Sequence, residues 1–376
     1  MRRIIYKDKV GGIYIHIPFC KRRCSYCDFY SVGSLERRHE LLECLHRELE
    51  LRAASADGGG TPTVYSPSEL QSLADTVKRL RMVRCIEEYT VEANPDDLLN
   101  DNYLADLRST EARRLSIGIQ SFIDRDLLLM KRRHTGDEAE ISVRKAQKAG
   151  FENISIDLIY GFPGMSLSEW GDNLNRALAL GVQHVSAYHL TIENGTLLGL
   201  RVKRGELIPI DEDASAEQYL LLIDTMRANG FRQYEASNFA LPGYESRHNS
   251  SYWRREAYLG VGPSAHGYDG FYLRRKNEAN LIRYIEAIRE NRIPEEVEIL
   301  SEIDLYNERV MTSLRTDLGL DTKTLPANFA HSFISKSRRY LRLGLLQEHD
   351  GVYSIPSKHL FVMDGIIADL FMNYEL

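Results

Sequence analysis

The chain has 376 residues, of which 43% are hydrophobic and 27% charged, and its net charge at pH 7 is −6. That length accommodates one barrel-sized domain of about 250 residues and a smaller second one. The negative net charge predicts no binding surface for nucleic acid. No segment approaches the ~18 uninterrupted apolar residues of a membrane span, and the first residues lack the apolar run of a signal peptide, so a cytoplasmic protein is predicted.

Short apolar runs alternate with longer helical stretches, which is the pattern of βα units. Helices are predicted at 35–54, with leucines on one face, and at 136–149, where Gly150 ends the helix. The order of these elements predicts an α/β fold in which a parallel sheet curls into a partial (β/α) barrel. The predicted strands are, in chain order, 12–17, 88–92, 114–118, 153–159, 184–190 and 231–234.

Three of these strands are followed directly by polar or turn-forming segments, at residues 94–95, 120–121 and 161–163. In parallel barrels, the groups that bind ligands lie at the carboxyl ends of the strands. The sequence therefore predicts a ligand site along this rim.

The pattern changes after residue 280 to two helices and a short strand at 352–355, which follows an Asp350-Gly351 turn. This outline is winged-helix-like and predicts a C-terminal helical domain at 281–376, after a barrel domain at 1–280. No basic recognition helix dominates it, and residues 294–305 are acidic. Packing against the barrel or against a protein partner is therefore predicted for this domain.

Cys20, Cys24 and Cys27 form a CxxxCxxC motif close to the first predicted strand. Three thiolates can hold three irons of a cubane iron–sulfur cluster and leave the fourth iron open. Asp28 and Phe29 follow, so no fourth cysteine closes the site nearby. A structural zinc site normally needs four protein ligands, which makes a [4Fe–4S] cluster the preferred interpretation.

Two alternatives for these cysteines are a zinc site that borrows His16 or Cys44 and a set of three unrelated buried thiols. His16 lies between Ile15 and Ile17, so strand alternation predicts a packed or hydrogen-bonded histidine rather than a ligand. Cys44 and Cys85 are predicted to be buried packing residues. The basic run at 21–23 could attract an acidic redox partner or form a solvated loop face.

The cysteine motif resembles that of the radical S-adenosylmethionine (radical SAM) superfamily. This resemblance implies that the amino and carboxylate groups of SAM occupy the open iron, from which the cluster donates an electron. The Gly-Gly-Gly-Thr-Pro segment at 58–62 offers bare backbone groups and could alone be a flexible turn. Its position after the cysteine loop is similar to that of the superfamily's glycine motif, which holds the methionine end of SAM.

Further motifs resemble the oxygen-independent coproporphyrinogen III oxidases and, within that group, the HemW haem chaperones. They are the Tyr-x-His-Ile-Pro-Phe-Cys segment that ends at Cys20, Val-Glu-Ala-Asn-Pro at 91–95, Leu-Ser-Ile-Gly-Ile-Gln-Ser-Phe at 115–122 and Asp-Leu-Ile-Tyr-Gly-Phe-Pro-Gly at 157–164. Phe29 stands where the oxidases typically have another cysteine, and Ser121 where they have aspartate. The HNSSYW segment at 248–253 matches the HNxxYW motif linked to haem binding in the HemW group.

The resemblance implies which residues contact SAM. Tyr14 and Tyr26 offer aromatic faces, Glu92 and Asp157 can accept hydrogen bonds, and Arg132 can pair with a carboxylate. Each of these could instead be a salt-bridged or structural residue. The implied SAM contacts are Tyr14, Tyr26, Gly59, Gly60, Thr61, Glu92, Gln120, Arg132, Asp157 and His266.

For His248 the resemblance implies an axial ligand of haem iron, with Tyr252 and Trp253 as flat apolar walls for the macrocycle. The alternative is a loop histidine without a ligand role. One departure from the family is that residues 52–57, Arg-Ala-Ala-Ser-Ala-Asp, replace the apolar strand expected before the glycine motif. Either another segment, such as 63–65, closes the gap, or residues have been lost. A barrel without that strand would have unpaired edges, which favour association such as a homodimer.

The resemblance thus implies a cytoplasmic chaperone with a [4Fe–4S] cluster, SAM and haem, which passes haem to membrane-bound respiratory haem proteins and lacks oxidase activity. The alternative is an enzyme whose 5′-deoxyadenosyl radical acts on a tetrapyrrole, as in coproporphyrinogen oxidation. If SAM is cleaved, an electron donor such as flavodoxin or ferredoxin is implied.

Overall fold

The computed structural model describes residues 10–53, 65–80 and 85–373. Within those ranges the strands are β1 (Val10–Ile15), β2 (Thr90–Ala93), β3 (Arg114–Gln120), β4 (Asn153–Tyr160), β5 (His184–His189), β6 (Arg232–Glu235), β7 (Asn238–Ala240), β8 (Ala257–Val261), β9 (His266–Tyr268), β10 (Leu273–Asn277), β11 (Glu295–Ile299), β12 (Leu320–Asp321), β13 (Gln347–His349) and β14 (Val352–Ser354). The helices are α1 (Arg38–Ala53), α2 (Pro67–Arg79), α3 (Asp101–Ser109), α4 (Asp124–Leu129), α5 (Gly136–Lys148), α6 (Leu167–Ala179), α7 (Leu197–Lys203), α8 (Glu212–Ala228), α9 (Arg247–Trp253), α10 (Leu281–Arg289), α11 (Glu302–Leu314), α12 (Ala327–Arg342) and α13 (Met363–Leu370).

The larger sheet within the described residues has six strands in the order β2-β3-β4-β5-β7-β6. Strands β2 to β5 are parallel, as the alternation of strands and helices predicts. Strand β7 runs antiparallel to both β5 and β6, so β6, the strand predicted near 231–234, joins the sheet through an antiparallel neighbour rather than the predicted parallel one. The reason is the two-residue connection between β6 and β7, which permits a hairpin but is too short for a parallel crossover.

Strand β1 belongs to a second sheet, whose order in the described part of the chain is β1-β8-β9-β10-β11. It pairs in parallel with β8, and Tyr14 lies opposite Gly260. The predicted gap before the glycine motif and the motif itself, with Gly59, Gly60 and Thr61, lie outside the described residues.

Strand β3 shows how the sequence places polar groups inside the barrel. Leu115, Ile117 and Ile119 are fully buried in the apolar core on one face of the strand. Arg114, Ser116 and Gly118 alternate with them and therefore face the other side, toward the barrel interior. The interior face is polar, which is a feature of a ligand cavity rather than of a packed core.

Local signals set the helix ends around this sheet. Thr135 and Glu138 form a capping box at the start of α5. Gly150 follows that helix with a φ of 94°, a conformation that glycine adopts without steric strain, so the prediction that Gly150 ends this helix is confirmed.

The C-terminal part has the winged-helix outline that the sequence predicts. Within the described residues, β12, β14 and β13 form an antiparallel sheet beside α11 and α12. Tyr306 stacks on Phe329 with ring centroids 5.0 Å apart, and Phe333 is fully buried. Helix α10 packs against α1, and β11 pairs with β10 in the sheet that also contains β1. The division of the chain at residue 280 stays a prediction.

No helix in the described ranges is both long enough and apolar enough to cross a membrane.

Candidate functional site

The loop with the three cysteines begins just after β1 and is closed by backbone hydrogen bonds at its base. The amide of Cys20 donates to the carbonyl of Val32 at 3.0 Å, and the amide of Val32 donates to the carbonyl of Pro18 at 2.7 Å. Phe19, which lies in this base, is buried. The chain thus returns to its starting point, and the cysteines lie on a closed loop.

Ser25 fixes the middle of this loop between the second and third cysteines. Its amide donates to the carbonyl of Met130 at 3.0 Å and its hydroxyl donates to that of Leu129 at 2.7 Å. The amide of Leu198 donates to the carbonyl of Ser25 at 2.9 Å. Because Ser25 is buried, these bonds are shielded from water and hold the loop against the ends of α4 and α7.

The three thiols of the loop lie close enough to influence one another. Burial raises the pKa of the Cys20 thiol, and Cys27 and Cys24 beside it raise it further. Burial also raises the pKa of Cys27, with Cys24 adding to the effect. Among the described residues, no three His, Cys, Asp or Glu side chains converge on a point that could hold a single metal ion. Thiolates that bind separate irons of one cluster do not need such convergence.

The other two cysteines lie apart from this loop. Cys44 is buried, and its thiol points to the carbonyl oxygen of Ile285 at 3.9 Å, as predicted for a packing residue. The prediction that Cys85 is buried is wrong, because its side chain is exposed. The reason is its place in the connection before β2, outside any helix or strand that packs on the core.

Arg132 brings positive charge to the cysteine loop. Its Nη1 donates to Sγ of Cys24 at 3.5 Å, and its Nη2 donates to the carbonyl of Gly118 in β3. Its buried Nε has no hydrogen-bond partner within the described part of the chain. A guanidinium with a spare buried donor beside three cysteines suits an anionic group, so the donor set fits a thiolate-bound cluster and the carboxylate of a ligand.

Tyr14 and His16 connect β1 with the cysteine loop. The Tyr14 hydroxyl lies 2.7 Å from His16 Nδ1, and His16 Nε2 lies 3.1 Å from the carbonyl oxygen of Tyr30. Because only Nε2–H can donate to that carbonyl, Nδ1 accepts from the tyrosine. Both ring nitrogens are engaged, which confirms the prediction that His16 is a hydrogen-bonded histidine.

Glu92 and Asp157 form an acidic pair inside the barrel. Burial raises the pKa of Glu92 to about 7, with the Asp157 charge raising it further and Arg114 opposing the rise. Burial raises the pKa of Asp157 to about 6, although Ser186 and Ser116 donate hydrogen bonds to it. Glu92 nevertheless keeps accessible surface. A side chain that is both desolvated and accessible faces an internal cavity, where it can accept hydrogen bonds from a ligand.

The interior groups that sequence reasoning missed are Arg114, Ser116 and Ser186. Arg114 is 4% exposed, and its Nε has no hydrogen-bond partner in the ranges that the structure describes. Ser116 lies opposite Glu92 in the register of β2 and β3. The signal for Arg114 and Ser116 was present, because polar residues at 114 and 116 alternate with fully buried apolar ones.

The acidic pair makes stability depend on pH, and the Glu92→Gln variant tests this. The neighbouring titratable and charged groups include Asp157, Arg114, Tyr14 and Tyr252. An acid whose pKa is raised on folding contributes stability below its unfolded pKa of 4.5, which is lost as pH rises through about 7. We therefore expect wild-type thermal stability to fall between about pH 5 and about pH 8, and Glu92→Gln to lessen that fall. Glu217→Gln on the exposed face of α8 is the control; equal pH dependence in both variants would contradict the assignment.

The remaining implied SAM contacts occupy three places. Gln120, the last residue of β3, is buried and has a φ of 71°; a Cβ added at Gly118 would lie 2.7 Å from its Nε2. Tyr26 lies near Cys24 and Arg132, and burial raises its pKa. His266 is exposed on β9, and its charge would lower the pKa of His16. The structure thus gathers Tyr26, Arg132 and Asp157 near the loop and Tyr14 and Glu92 deeper in the barrel.

The HNSSYW segment forms α9, whose N-terminus is capped by the Ser246 side chain. His248 Nε2 lies 2.9 Å from the Tyr252 hydroxyl, one helical turn away. The imidazole also stacks beside Tyr14, with ring centroids 6.4 Å apart. A Cβ added at Gly12 would lie 2.5 Å from His248 Nδ1, so the ring fits closely against β1. The motif therefore packs on the barrel wall.

Comparison with known proteins places these features in a family. Residues 14–177 match the radical SAM superfamily. The haem chaperone HemW of Lactococcus lactis is 37% identical over 333 residues, which cover 87% of each chain. The haem chaperone HemW of Mycobacterium tuberculosis is 34% identical over 374 residues, which cover 96% of this chain and 94% of that one. The chain belongs to the HemW family.

The fold of this HemW family member is that of a solved radical SAM structure. Coproporphyrinogen III oxidase HemN from Escherichia coli superposes with a TM-score of 0.80 over 96% of this chain and 90% of its own, at 20% identity. The predicted partial barrel of the radical SAM type is thereby confirmed. Because the sequence identity is low, this likeness establishes the fold alone. Any activity has to be inferred from the residues of the site.

Two residues that distinguish this HemW family member from the oxidase pattern lie in different environments. Phe29 is 76% exposed on the cysteine loop. Ser121 is fully buried, 3.3 Å from oxygen atoms of both Asp126 and Asn173. Ser121 therefore serves the turn after β3 rather than the cavity.

Proposed function

We propose that this protein is a haem-binding chaperone on a radical SAM scaffold, which delivers haem to respiratory haem proteins. The observation that carries the proposal is the location of the HNxxYW histidine in a protein of the HemW family. His248 stands on α9 against the barrel wall, where burial lowers its pKa to about 4. A neutral imidazole at physiological pH is the form that ligates iron.

A [4Fe–4S] cluster on Cys20, Cys24 and Cys27 and a SAM molecule complete this proposal. The three thiols are mutually close, and Arg132 donates toward one of them. The cluster supplies an electron and an open iron when bound. The chain's own contribution is to orient SAM, with the Arg132 guanidinium toward a carboxylate and Glu92 toward hydroxyl or ammonium donors.

Haem contact is proposed for His248, with Tyr252 and Trp253 as apolar walls of the site. Both ring nitrogens of His248 are screened in this structure, Nε2 by Tyr252 and Nδ1 by the backbone at Gly12. Coordination therefore requires the imidazole to leave one of these neighbours. An iron–imidazole bond adds to burial of the macrocycle, which provides the free energy for that exchange.

The partners belong to the proposal as well. Arg22 and Arg23 are exposed on the cysteine loop and suit an acidic electron donor such as flavodoxin or ferredoxin if SAM is cleaved. Membrane-bound respiratory haem proteins are the proposed recipients, and the cytoplasm is the proposed location. A homodimer is the proposed assembly, since Val297 and Ile299 of β11 are exposed beside the open edge of that strand in the described residues.

An enzyme acting on a tetrapyrrole is the second candidate function. The observation that favours it is the acidic pair, because Glu92 and Asp157 face a cavity in an otherwise ordinary radical SAM barrel. Such a cavity could orient SAM for hydrogen abstraction. The HNxxYW segment on α9 has no role in that chemistry, which is why the chaperone is preferred.

The two candidate functions differ in an assay for coproporphyrinogen III oxidation. We expect the anaerobically reconstituted protein, supplied with SAM and a reductant, to form no protoporphyrinogen IX. The physical reason is that the chaperone holds haem, whereas the oxidation needs a cavity that is free to bind coproporphyrinogen III. Product formation at about 0.1 per second or faster, an ordinary enzymatic rate, would reverse the ranking.

A further inference from the structure

The HNxxYW helix α9 and the proposed SAM cavity lie on two sides of one wall of the barrel, which β1 forms. Tyr14 is the shared element, since it stacks beside His248 and also lies close enough to Glu92 for that carboxylate to raise its pKa. Tyr252 bonds His248 and in turn packs edge-on against Tyr258 of β8, with ring centroids 4.4 Å apart. A movement of His248 therefore changes the packing of a residue implied in SAM contact.

The present position of His248 is a closed one. Its Nε2 is bonded to Tyr252 at 2.9 Å, and its Nδ1 edge occupies the space that a Cβ at residue 12 would need. Only a glycine in β1 admits the ring this closely. In this position neither nitrogen can reach an iron atom.

The closed position leaves polar groups buried without partners. Among the described residues, Nε1 of Trp253, on the same helix, has no hydrogen-bond acceptor, and neither has Nε of Arg114, whose charge lowers the pKa of His248. A buried donor without an acceptor is less favourable than a bonded one. These two donors are therefore open to a ligand or to a second arrangement of α9.

The polar links from the N-terminal end of α9 to the segment before β2 are weak. The amides of Arg247 and His248 each donate to the Glu88 carboxylate at 3.4 Å, near the limit for a hydrogen bond. The Arg247–Glu87 ion pair is solvent-exposed on both sides, so it contributes little to stability. A shift of this end of the seven-residue helix therefore breaks these links and the 3.3 Å hydrogen bond from Asn249 Nδ2 to the Tyr234 hydroxyl.

We propose that Tyr252 is a latch that holds His248 against β1, and that haem ligation by His248 releases this latch and weakens SAM binding on the other side of the wall. This inference rests on the proposed function, since it assumes that haem and SAM both bind. Because coupling between two ligands is reciprocal, SAM must weaken haem binding by the same factor. SAM would thus keep the chaperone in its haem-free form, and haem would displace SAM.

Two variants open the latch in different ways. Tyr252→Phe keeps the ring and removes the hydroxyl that occupies His248 Nε2. Gly12→Ala places a methyl group where the imidazole now lies and pushes it off β1. Gly365→Ala in α13 is the matched control, because a Cβ there meets no atom within 4 Å. The measurements are haem titration by the Soret band and SAM affinity from the spectrum of the reduced cluster.

We expect Tyr252→Phe and Gly12→Ala to bind haem about threefold to tenfold more tightly than wild type, as loss of one competing hydrogen bond predicts, and to bind SAM more weakly. Gly365→Ala should match wild type in both. In wild-type protein, saturating haem should raise the dissociation constant of SAM.

Three outcomes would overturn the inference. Haem affinity that is unchanged or lower in Tyr252→Phe would remove the latch, and equal SAM affinity with and without haem would remove the coupling. If Gly12→Ala fails to fold, Tyr252→Phe alone decides the first point. Absence of saturable haem binding in wild-type protein would instead overturn the proposed function, and the inference with it.

Discussion

Serine in place of Cys20, Cys24 or Cys27 is expected to reduce bound iron and sulfide from about four of each per chain to nearly none after anaerobic reconstitution. The reason is that a cluster with one open iron has three protein ligands, and loss of one leaves too few. The structure strengthens this expectation, because backbone bonds at Cys20 and Ser25 hold the loop in place and Arg132 offsets negative charge beside Cys24.

Two other cysteines provide the controls for that experiment. Cys85→Ser changes an exposed thiol outside the helices and strands, so iron and sulfide contents should equal those of wild type. Cys44→Ser changes a buried thiol that points to a backbone carbonyl, and serine can donate to the same oxygen. Retention of iron in Cys24→Ser, or its loss in Cys85→Ser, would show that the cluster site is misassigned.

Alanine at His248 is expected to weaken haem binding at least about tenfold, which corresponds to about 1.4 kcal/mol for loss of an iron ligand. Titration of the purified protein, followed by the Soret band, measures this. His331→Ala on the exposed face of α12 controls for adventitious surface binding. Its haem affinity should not change.

His184 serves a different purpose in the same titration. It is buried, with Nδ1 2.7 Å from the Ser155 hydroxyl and Nε2 2.9 Å from that of Tyr234. His184→Ala therefore damages the barrel interior without removing the proposed ligand, and separates destabilisation from ligation. Equal losses of affinity in His184→Ala and His248→Ala would attribute the effect to destabilisation, and an unchanged Soret band in His248→Ala would exclude iron ligation.

The sequence determined the features that depend on neighbours along the chain. The spacing of Cys20, Cys24 and Cys27 places three thiols on one short loop, whatever the rest of the chain does. Residue periodicity determined β3, β4 and α5 almost to the residue, because apolar alternation and a capping box are local properties.

Only the tertiary structure decided which distant residues meet. Gly12 and His248 come from opposite ends of the barrel part of the chain, and their fit depends on α9 packing against β1. Alternation along β3 gives Arg114 and Ser116 a common face, but the placement of Glu92 opposite Ser116 follows from the register of β2 and β3, which periodicity does not specify. The exposure of Cys85 likewise follows from its place in a connection rather than from its chemistry. The local sequence determines on which face of its helix or strand each side chain lies. The elements that pack against that face come from elsewhere in the chain.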